Sequence, residues 1–303
     1  MAKAFYTLED LRDWENVSRD INPPPLLAVI GDPIAHSRSP QMHNPALTAR
    51  GINGQYIRVH VPPGSVAVAL ELFARNGFTG VNCTIPHKFE ALEAMDELNG
   101  LAVVLGAVNT VHLNDGEKTG YNSDGPGFLR SVEEAFQKEV KDLRVLIIGA
   151  GGGAGQAVAI QSALERCPEL YLANRTVEKL EPLVRQCQEH SPQTQVTRLA
   201  WTNEALAGVL DKVDLIVNAT PIGMKEGDAP LFDYSGLRSG HLAYDMVYRA
   251  SSPTPFIAAA QAAGLATCDG LRLLLHQGAI SFGHWFGEPV PLEAMRKGLS
   301  EAV

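Results

Sequence analysis

Lys88 stands two residues past Pro86, beyond a β-prone run that carries Asn82 and Thr84, in the stretch GVNCTIPHK (80–88). Residues two apart on a strand point to the same side, and the proline ends the ladder. The chain therefore turns there, and Lys88 enters the space that Asn82 and Thr84 face. A lysine so placed can give a proton to a reacting group or orient an anionic one. Comparable groups stand at other strand ends of the same half: Ser37 and Ser39 after 26–31, Asn109 and Thr110 in 106–113, and Asp124 in the segment that follows. Singly, each has a plain structural use as a helix cap or turn partner. Together they supply hydroxyl, amide and ionic groups suited to a small polyhydroxylated ligand.

A second constellation is the glycine-rich turn Gly149-Ala150-Gly151-Gly152-Gly153-Ala154, which follows the apolar run RVLIIG (144–149) and opens a helical pattern. Such a turn lets the backbone approach a pyrophosphate that rests on the helix N-terminus, the signature of dinucleotide binding. An NAD-binding fold usually places an acid at the end of the next strand, to accept from the ribose 2′-hydroxyl. This chain has Asn174-Arg175-Thr176 there. A guanidinium suits a 2′-phosphate, and Thr176 can cap the following helix while donating to the same phosphate. The expected cofactor is NADP.

The elements that must position these groups alternate between strand and helix from Leu26 onward. LLAVIG (26–31), QYIRVHV (55–61), GVNCTI (80–85) and GAVNTVHL (106–113) read as strands, with helices at 41–51, 65–77 and about 89–98. A second series holds strands at 144–149, 169–174, 195–200, DLIVNAT, LAYDMVY and LATC (265–268), and helices after the glycine-rich turn, at VEKLEPLVRQCQEH and at 255–264. Alternation at this spacing predicts right-handed βαβ units and largely parallel sheets. The expected class is α/β with two domains: an N-terminal, mixed to mostly parallel substrate domain and a Rossmann-type dinucleotide-binding domain. Residues 1–25 form a polar, amphipathic lead that ends in Pro23-Pro24-Pro25, a stiff spacer. The substrate domain is expected over 26–124 and the dinucleotide domain over 125–270.

Composition narrows the function classes. The chain has 303 residues, room for about two domains, and a formal net charge of −9. Nucleic acid and anionic membranes both demand basic patches, so neither is expected as a partner. Mean hydropathy is −0.03, and no apolar run approaches the roughly 20 residues of a membrane helix. The first 15 residues contain acids and no apolar core of a secretory signal. Four scattered cysteines, Cys83, Cys167, Cys187 and Cys268, read as reduced thiols of a cytoplasmic enzyme. Cys83 and His87 supply two of the three or four ligands a zinc site needs, so no metal is expected.

The set SRSP (37–40), NCTIPHK (82–88), AVNT (107–110), NSDG (122–125), GAGGGA (149–154), NRT (174–176), NATPIGM (218–224), YDMVY (244–248) and DGLRLLLHQG (269–278) resembles the shikimate dehydrogenase family, in family order over about residues 26–300. The resemblance implies NADPH-dependent reduction of 3-dehydroshikimate to shikimate, on the route to chorismate and the aromatic amino acids. It also implies that 271–303 returns to the substrate domain. By motif, Ser37 and Ser39 would hold the substrate carboxylate. Asn82, Thr84, Asn109, Asp124, Tyr248 and Gln277 would bind the ring, with Lys88 and Asp124 as the catalytic pair. Lys88 would then donate the proton that ketone reduction requires, or orient the substrate electrostatically. On the cofactor side the resemblance adds Lys179, Thr220, Met246 and Gly270. Departures from the family pattern are Cys83 for valine, His87 before the lysine, Ser123 for threonine, the extra glycine of GGGAG and Leu273 for methionine.

Two alternatives stand beside this reading. A quinate or aminoshikimate dehydrogenase would share most motifs; the quinate form would be suggested by Ser-x-Thr in place of Ser37-Arg38-Ser39 and by an acid in place of Asn174-Arg175, neither of which occurs. A non-catalytic nucleotide sensor would be suggested by loss of Lys88 or Asp124, and both are present. The implied partners are small molecules, and the chain would act as a monomer or homodimer.

Overall fold

The amphipathic lead is the first place where the fold departs from expectation. Its residues form strand β1 (Tyr6–Thr7) and short helices α1 (Leu8–Arg12) and α2 (Trp14–Ser18). Thr7 and Asp10 form a reciprocal capping box at the start of α1, which satisfies two orphan amide donors. Tyr6, Leu11 and Trp14 are buried in the hydrophobic cluster of the N-terminal unit, and β1 pairs in parallel with the strand Gln55–His60 (Tyr6 opposite Val59). The lead is therefore part of the packed sheet and not a spacer: its apolar residues bury more surface than a solvated arm would.

The computed structural model describes residues 3–249 and 252–301. They divide into two compact units, one running to Ser123 and resuming at Gln277, the other Asp124–His276. The return to the first unit thus begins at Gln277, whereas position 271 was expected.

In the first unit, β2 (Pro25–Gly31), β3 (Gln55–His60) and β4 (Gly80–Cys83) run parallel. They are joined by the crossover helices α3 (Ser39–Ala49) and α4 (Val66–Arg75). Helix α5 (Lys88–Glu93) stops short of the expected 98, because Glu97–Leu98 forms the edge strand β5. Helix α6 (Gly100–Leu105) ends on Gly106 in the left-handed region, and residues 107–109 of the expected strand 106–113 form no ladder, so that β6 begins only at Thr110 (Thr110–Asn114). β6 runs antiparallel to β4, with Thr110 opposite Asn82, and to β7 (Glu117–Tyr121). The sheet order is β1-β3-β2-β4-β6-β7-β5.

The second unit opens with α7 (Asp124–Phe136) and continues through β8 (Val145–Ile148), α8 (Gly153–Leu164), β9 (Glu169–Asn174), α9 (Glu181–His190), β10 (Gln195–Ala200), α10 (Asn203–Leu210), β11 (Leu215–Asn218), β12 (Leu242–Asp245), α11 (Pro255–Ala262) and β13 (Ala266–Cys268). Its strands are all parallel, in the order β10-β9-β8-β11-β12-β13. This is the doubly wound order of dinucleotide-binding sheets, which reverses between β8 and β11; ligands of such sheets bind beyond the strand ends at that reversal. Helix α12 (Gly270–Phe286) begins in the second unit and ends in the first, where α13 (Leu292–Glu301) packs along α3. Trp285 of α12 donates its indole N–H to the Val111 carbonyl (3.0 Å). Among the described residues no helix is long and apolar enough to cross a membrane.

Candidate functional site

In the first unit the ends of β2, β4 and β6 gather most of the expected substrate residues. The Ser37 hydroxyl donates to the Ser39 hydroxyl (3.2 Å), and Arg58 Nε fixes the Ser37 carbonyl (2.7 Å). Ser39 is the first residue of α3, not its cap, and no acid lies in that first turn. The positive dipole end of this eleven-residue helix lies there, which suits a carboxylate, although its first amides are already spent: Ser39 N donates to Ser37 Oγ (3.4 Å), Gln41 N to the Arg38 carbonyl (3.1 Å), and Pro40 has none. Tyr56, which reads in the sequence as a core aromatic, connects this end to the next strand. Its hydroxyl bonds with Ser39 and donates to Asn82 Oδ1 (2.8 Å). Burial holds the phenol well above its usual range, so it stays neutral and remains a donor.

Asn82 is largely spent inside the protein. Its Nδ2 lies within reach of the Asn109 carbonyl (3.0 Å), Thr110 Oγ1 (3.1 Å) and Ser281 Oγ (3.0 Å). With both amide hydrogens engaged and Oδ1 holding Tyr56, Asn82 offers a ligand only a remaining acceptor lone pair. Asn109 is the complement. Its Oδ1 accepts from the Ser123 amide (2.8 Å) and its Nδ2 donates to Ser123 Oγ (2.9 Å), which leaves its second N–H to donate outward. Asn109 therefore holds a turn and still keeps a donor. Ser123 Oγ also reaches Gln277 Oε1 (3.4 Å) and Ser281 Oγ (3.2 Å), so helix α12 closes the cluster.

Lys88 opens α5 beside this network. It is buried (9% exposed), and its carbonyl accepts from Val108 N (3.0 Å), next to Asn109. The turn ahead of it is pinned by His87, whose Nε2–H donates to the Val61 carbonyl (2.8 Å). Burial lowers the His87 pKa, which favours a neutral ring. Cys83 is equally inert, its thiol pushed by burial up to about 12. Thr84 lies half-buried at the end of β4. Asp124 is buried and directly follows Ser123, but it opens α7 of the second unit, whereas Lys88 belongs to the first. Tyr248 is half-buried beyond β12, also in the second unit.

In the second unit the glycine-rich turn lies where the strand order reverses. Gly149 adopts φ +89°, and a Cβ there would stand 2.5 Å from Thr220 Cγ2; one on Gly151 would meet Asn174 Nδ2 at 2.9 Å. Only glycine leaves this cradle open. Gly152 precedes α8, of which Gly153 and Ala154 are the first residues, and Ala150 is buried, its N–H on the Ala173 carbonyl. The first-turn amides of a helix have no internal acceptor and favour an anion. At the end of β9, Arg175 and Thr176 are exposed, as is Lys179. Thr176 does not make the expected side-chain cap of the turn after it; its carbonyl accepts from Asn174 Nδ2 (3.0 Å). These features fit an NADP molecule: an open backbone cradle, a helix N-terminus and exposed cations with no acid at the strand end.

Thr220, Met246 and Gly270 are tied together by the buried Asp245. Asn218 Nδ2 (2.8 Å) and Val247 N (2.9 Å) donate to Asp245 Oδ1, and Thr254 Oγ1 donates to Oδ2. Asn218 in turn accepts from Thr220 N and Oγ1 and holds Met246 N on its carbonyl. Gly270 packs against the Met246 carbonyl, which a Cβ would meet at 2.3 Å. Burial raises the Asp245 pKa to about 6 despite these donors. A folded-state pKa above the unfolded value means that the native protein holds its proton longer, so this contribution is present below about pH 4 and is lost as pH rises through about 6. Asp245→Asn should therefore gain stability relative to the wild type between pH 4.5 and 7.5, by about 1–3 kcal/mol. Urea unfolding of both proteins at the two pH values measures it; a difference that does not change with pH would show that Asp245 does not titrate in this window.

Among the described residues no group of three His, Cys, Asp or Glu side chains is placed to hold a metal. Three family descriptions match the chain: the shikimate dehydrogenase substrate binding domain over residues 29–111, shikimate/quinate 5-dehydrogenase over 130–223, and the shikimate 5′-dehydrogenase C-terminal domain over 270–298. The shikimate dehydrogenase (NADP(+)) of Desulforamulus reducens is 37% identical over 91% of this chain and 94% of its own. A crystal structure of a shikimate dehydrogenase in complex with NADP+ superposes with a TM-score of 0.82 at 34% identity, over 91% of this chain and 95% of that one. The Thermus thermophilus shikimate 5-dehydrogenase in complex with NADP(H) and shikimate does so at 0.79 and 32%, over 91% and 99%. With relatives this similar along nearly its whole length, the chain belongs to the shikimate dehydrogenase family.

Proposed function

We propose that this protein reduces the ketone of 3-dehydroshikimate to shikimate with NADPH, a step toward the aromatic amino acids. The observation that carries the reading is the hydrogen-bonded chain Ser39–Tyr56–Asn82–Thr110–Ser123–Asn109, with Lys88 beside it, in a unit whose family relatives bind this ring acid. NADPH supplies the hydride when bound. Ser37, Ser39 and the start of α3 hold the carboxylate. Asn82 accepts from a ring hydroxyl, Asn109 donates to one, and Thr84, Gln277 and Tyr248 complete the ring contacts. Lys88 passes a proton to the ketone oxygen and Asp124 is its partner carboxylate. Gly149–Ala154 with Thr220 receive the pyrophosphate; Asn174, Arg175, Thr176 and Lys179 receive the adenosine 2′-phosphate; Met246 and Gly270 serve the nicotinamide end. The four cysteines are buried and free, which suits the reducing cytoplasm we assign to the chain.

The test is NADPH oxidation followed with 3-dehydroshikimate, 3-dehydroquinate and an aminated analogue. Turnover confined to 3-dehydroquinate would move the protein to the quinate branch, and none with any of them would favour a nucleotide sensor. The carboxylate clamp has its own test. A hydroxyl bonded to a charged group contributes about 1.5–3 kcal/mol, so Ser39→Ala should raise the substrate KM by about tenfold or more with a smaller fall in kcat. An unchanged KM would remove Ser39 from the site.

A further inference from the structure

Trp201 has no counterpart among the residues the sequence singled out. It follows β10, whose last residue Ala200 lies opposite Asn174, and its backbone N–H donates to the Asn174 carbonyl (3.1 Å). The indole is fixed twice more: its Nε1–H donates to the Leu231 carbonyl (2.9 Å), and one part of the ring packs on the hydrophobic cluster of the unit. The guanidinium carbon of Arg175 lies 5.0 Å from the centroid of this ring. Elsewhere in the unit Arg144, Arg185, Arg198, Arg238 and Arg272 each pair with a carboxylate, and Arg175, though it stands at the cofactor end of β9, is held by a ring instead. Among the described residues Arg175 makes no ion pair.

The difference has a physical consequence. A carboxylate partner would cancel the charge and occupy N–H donors, whereas a ring face holds a guanidinium through its π-cloud and leaves the charge and the donor edge intact. An exposed arginine otherwise samples many rotamers and must be ordered on binding, which weakens each contact it makes. We propose that Trp201 is a positioning residue for cofactor selection: it holds Arg175 with its N–H donors turned toward solvent, ready for the 2′-phosphate. This rests on the NADP reading above, and it adds that the preference depends on a residue that does not itself touch the phosphate.

The probes are 2′,5′-ADP and 5′-AMP, which differ only in that phosphate, measured as competitive inhibitors of the intact enzyme alongside kcat and the KM for NADPH. Trp201→Leu keeps an apolar side chain but removes both the π-face and the Leu231 bond; Trp201→Phe loses the Leu231 bond but keeps a face. Trp201→Leu is expected to weaken 2′,5′-ADP by about 2- to 5-fold and to raise the NADPH KM in step, with 5′-AMP inhibition and kcat unchanged. Trp201→Phe should hold 2′,5′-ADP close to the wild-type value. Equal weakening of both nucleotides in Trp201→Leu would reduce Trp201 to a wall of the fold and overturn the inference, as would a Trp201→Phe variant no better than leucine. Arg175→Ala separates the two levels: if it alone costs 2′,5′-ADP affinity, the NADP reading stands and the role of Trp201 falls. If neither variant alters the discrimination, both fall.

Discussion

Lys88→Ala is expected to lower kcat by about 10²–10⁴-fold, the range for removing a positioned acid or base. Reduction of a ketone leaves an alkoxide unless a proton arrives with the hydride, and water is a poor substitute in a site that buries its lysine. The same substitution should leave NADPH affinity, read by nucleotide fluorescence, close to wild type, because Lys88 lies in the first unit and the glycine-rich turn in the second. Lys88 begins a helix and its carbonyl holds Val108; alanine keeps both roles, so the melting midpoint should move little. A fall in kcat below about fivefold would remove Lys88 as the proton donor and leave it the orienting role.

Arg175→Asp carries the second large effect. A charge-assisted contact of about 1.5–3 kcal/mol to the 2′-phosphate corresponds to a preference of about 10- to 150-fold for NADPH over NADH. Aspartate repels the phosphate and restores an acceptor for the ribose hydroxyl, so the ratio of kcat/KM for the two cofactors should shrink or invert. Steady-state kinetics with both cofactors in both proteins decides it. Equal wild-type values, or a ratio indifferent to the substitution, would mean that this arginine does not read the phosphate.

The strand ends were legible because apolar β-prone runs such as 26–31 and 144–149 stop abruptly at polar or glycine-rich residues, and the parallel sheets follow from the alternation. Polar strands left no such trace. EKTGY of β7, one strand in from the edge, and the two residues of the edge strand β5 bury little, so no period marks them. The lead did carry its signal: Leu8, Leu11 and Trp14 recur three apart on one face, which argues for packing against something. Within the site, the residues that meet a ligand are polar and stand where chains turn. The residues that orient them are camouflaged. Tyr56 sits in the alternating strand QYIRVH, where a tyrosine is ordinary, and Ser281 reads as a small residue of a largely apolar helix. Only its position four after Gln277, on the same helix face, hinted that both serve one cluster. Trp201 was hidden for another reason, since a lone tryptophan after a strand reads as core.

The first unit is encoded at both ends of the chain and the second in one uninterrupted stretch between them, and this sets an order of assembly during synthesis. When Asp124–His276 has left the ribosome, everything its own sheet needs is present. The strands before it are by then long made, yet Val111 still lacks the indole of Trp285, Asn82 and Thr110 lack Ser281, and Arg50 lacks the carbonyl of Phe286. The earlier-made strands must therefore wait, with an apolar face and a polar cluster unsatisfied, while a later-made domain completes itself. Domains generally fold as units and N-terminal first; here the discontinuity reverses that sequence, and the waiting interval is when the nascent chain most needs a chaperone's cover.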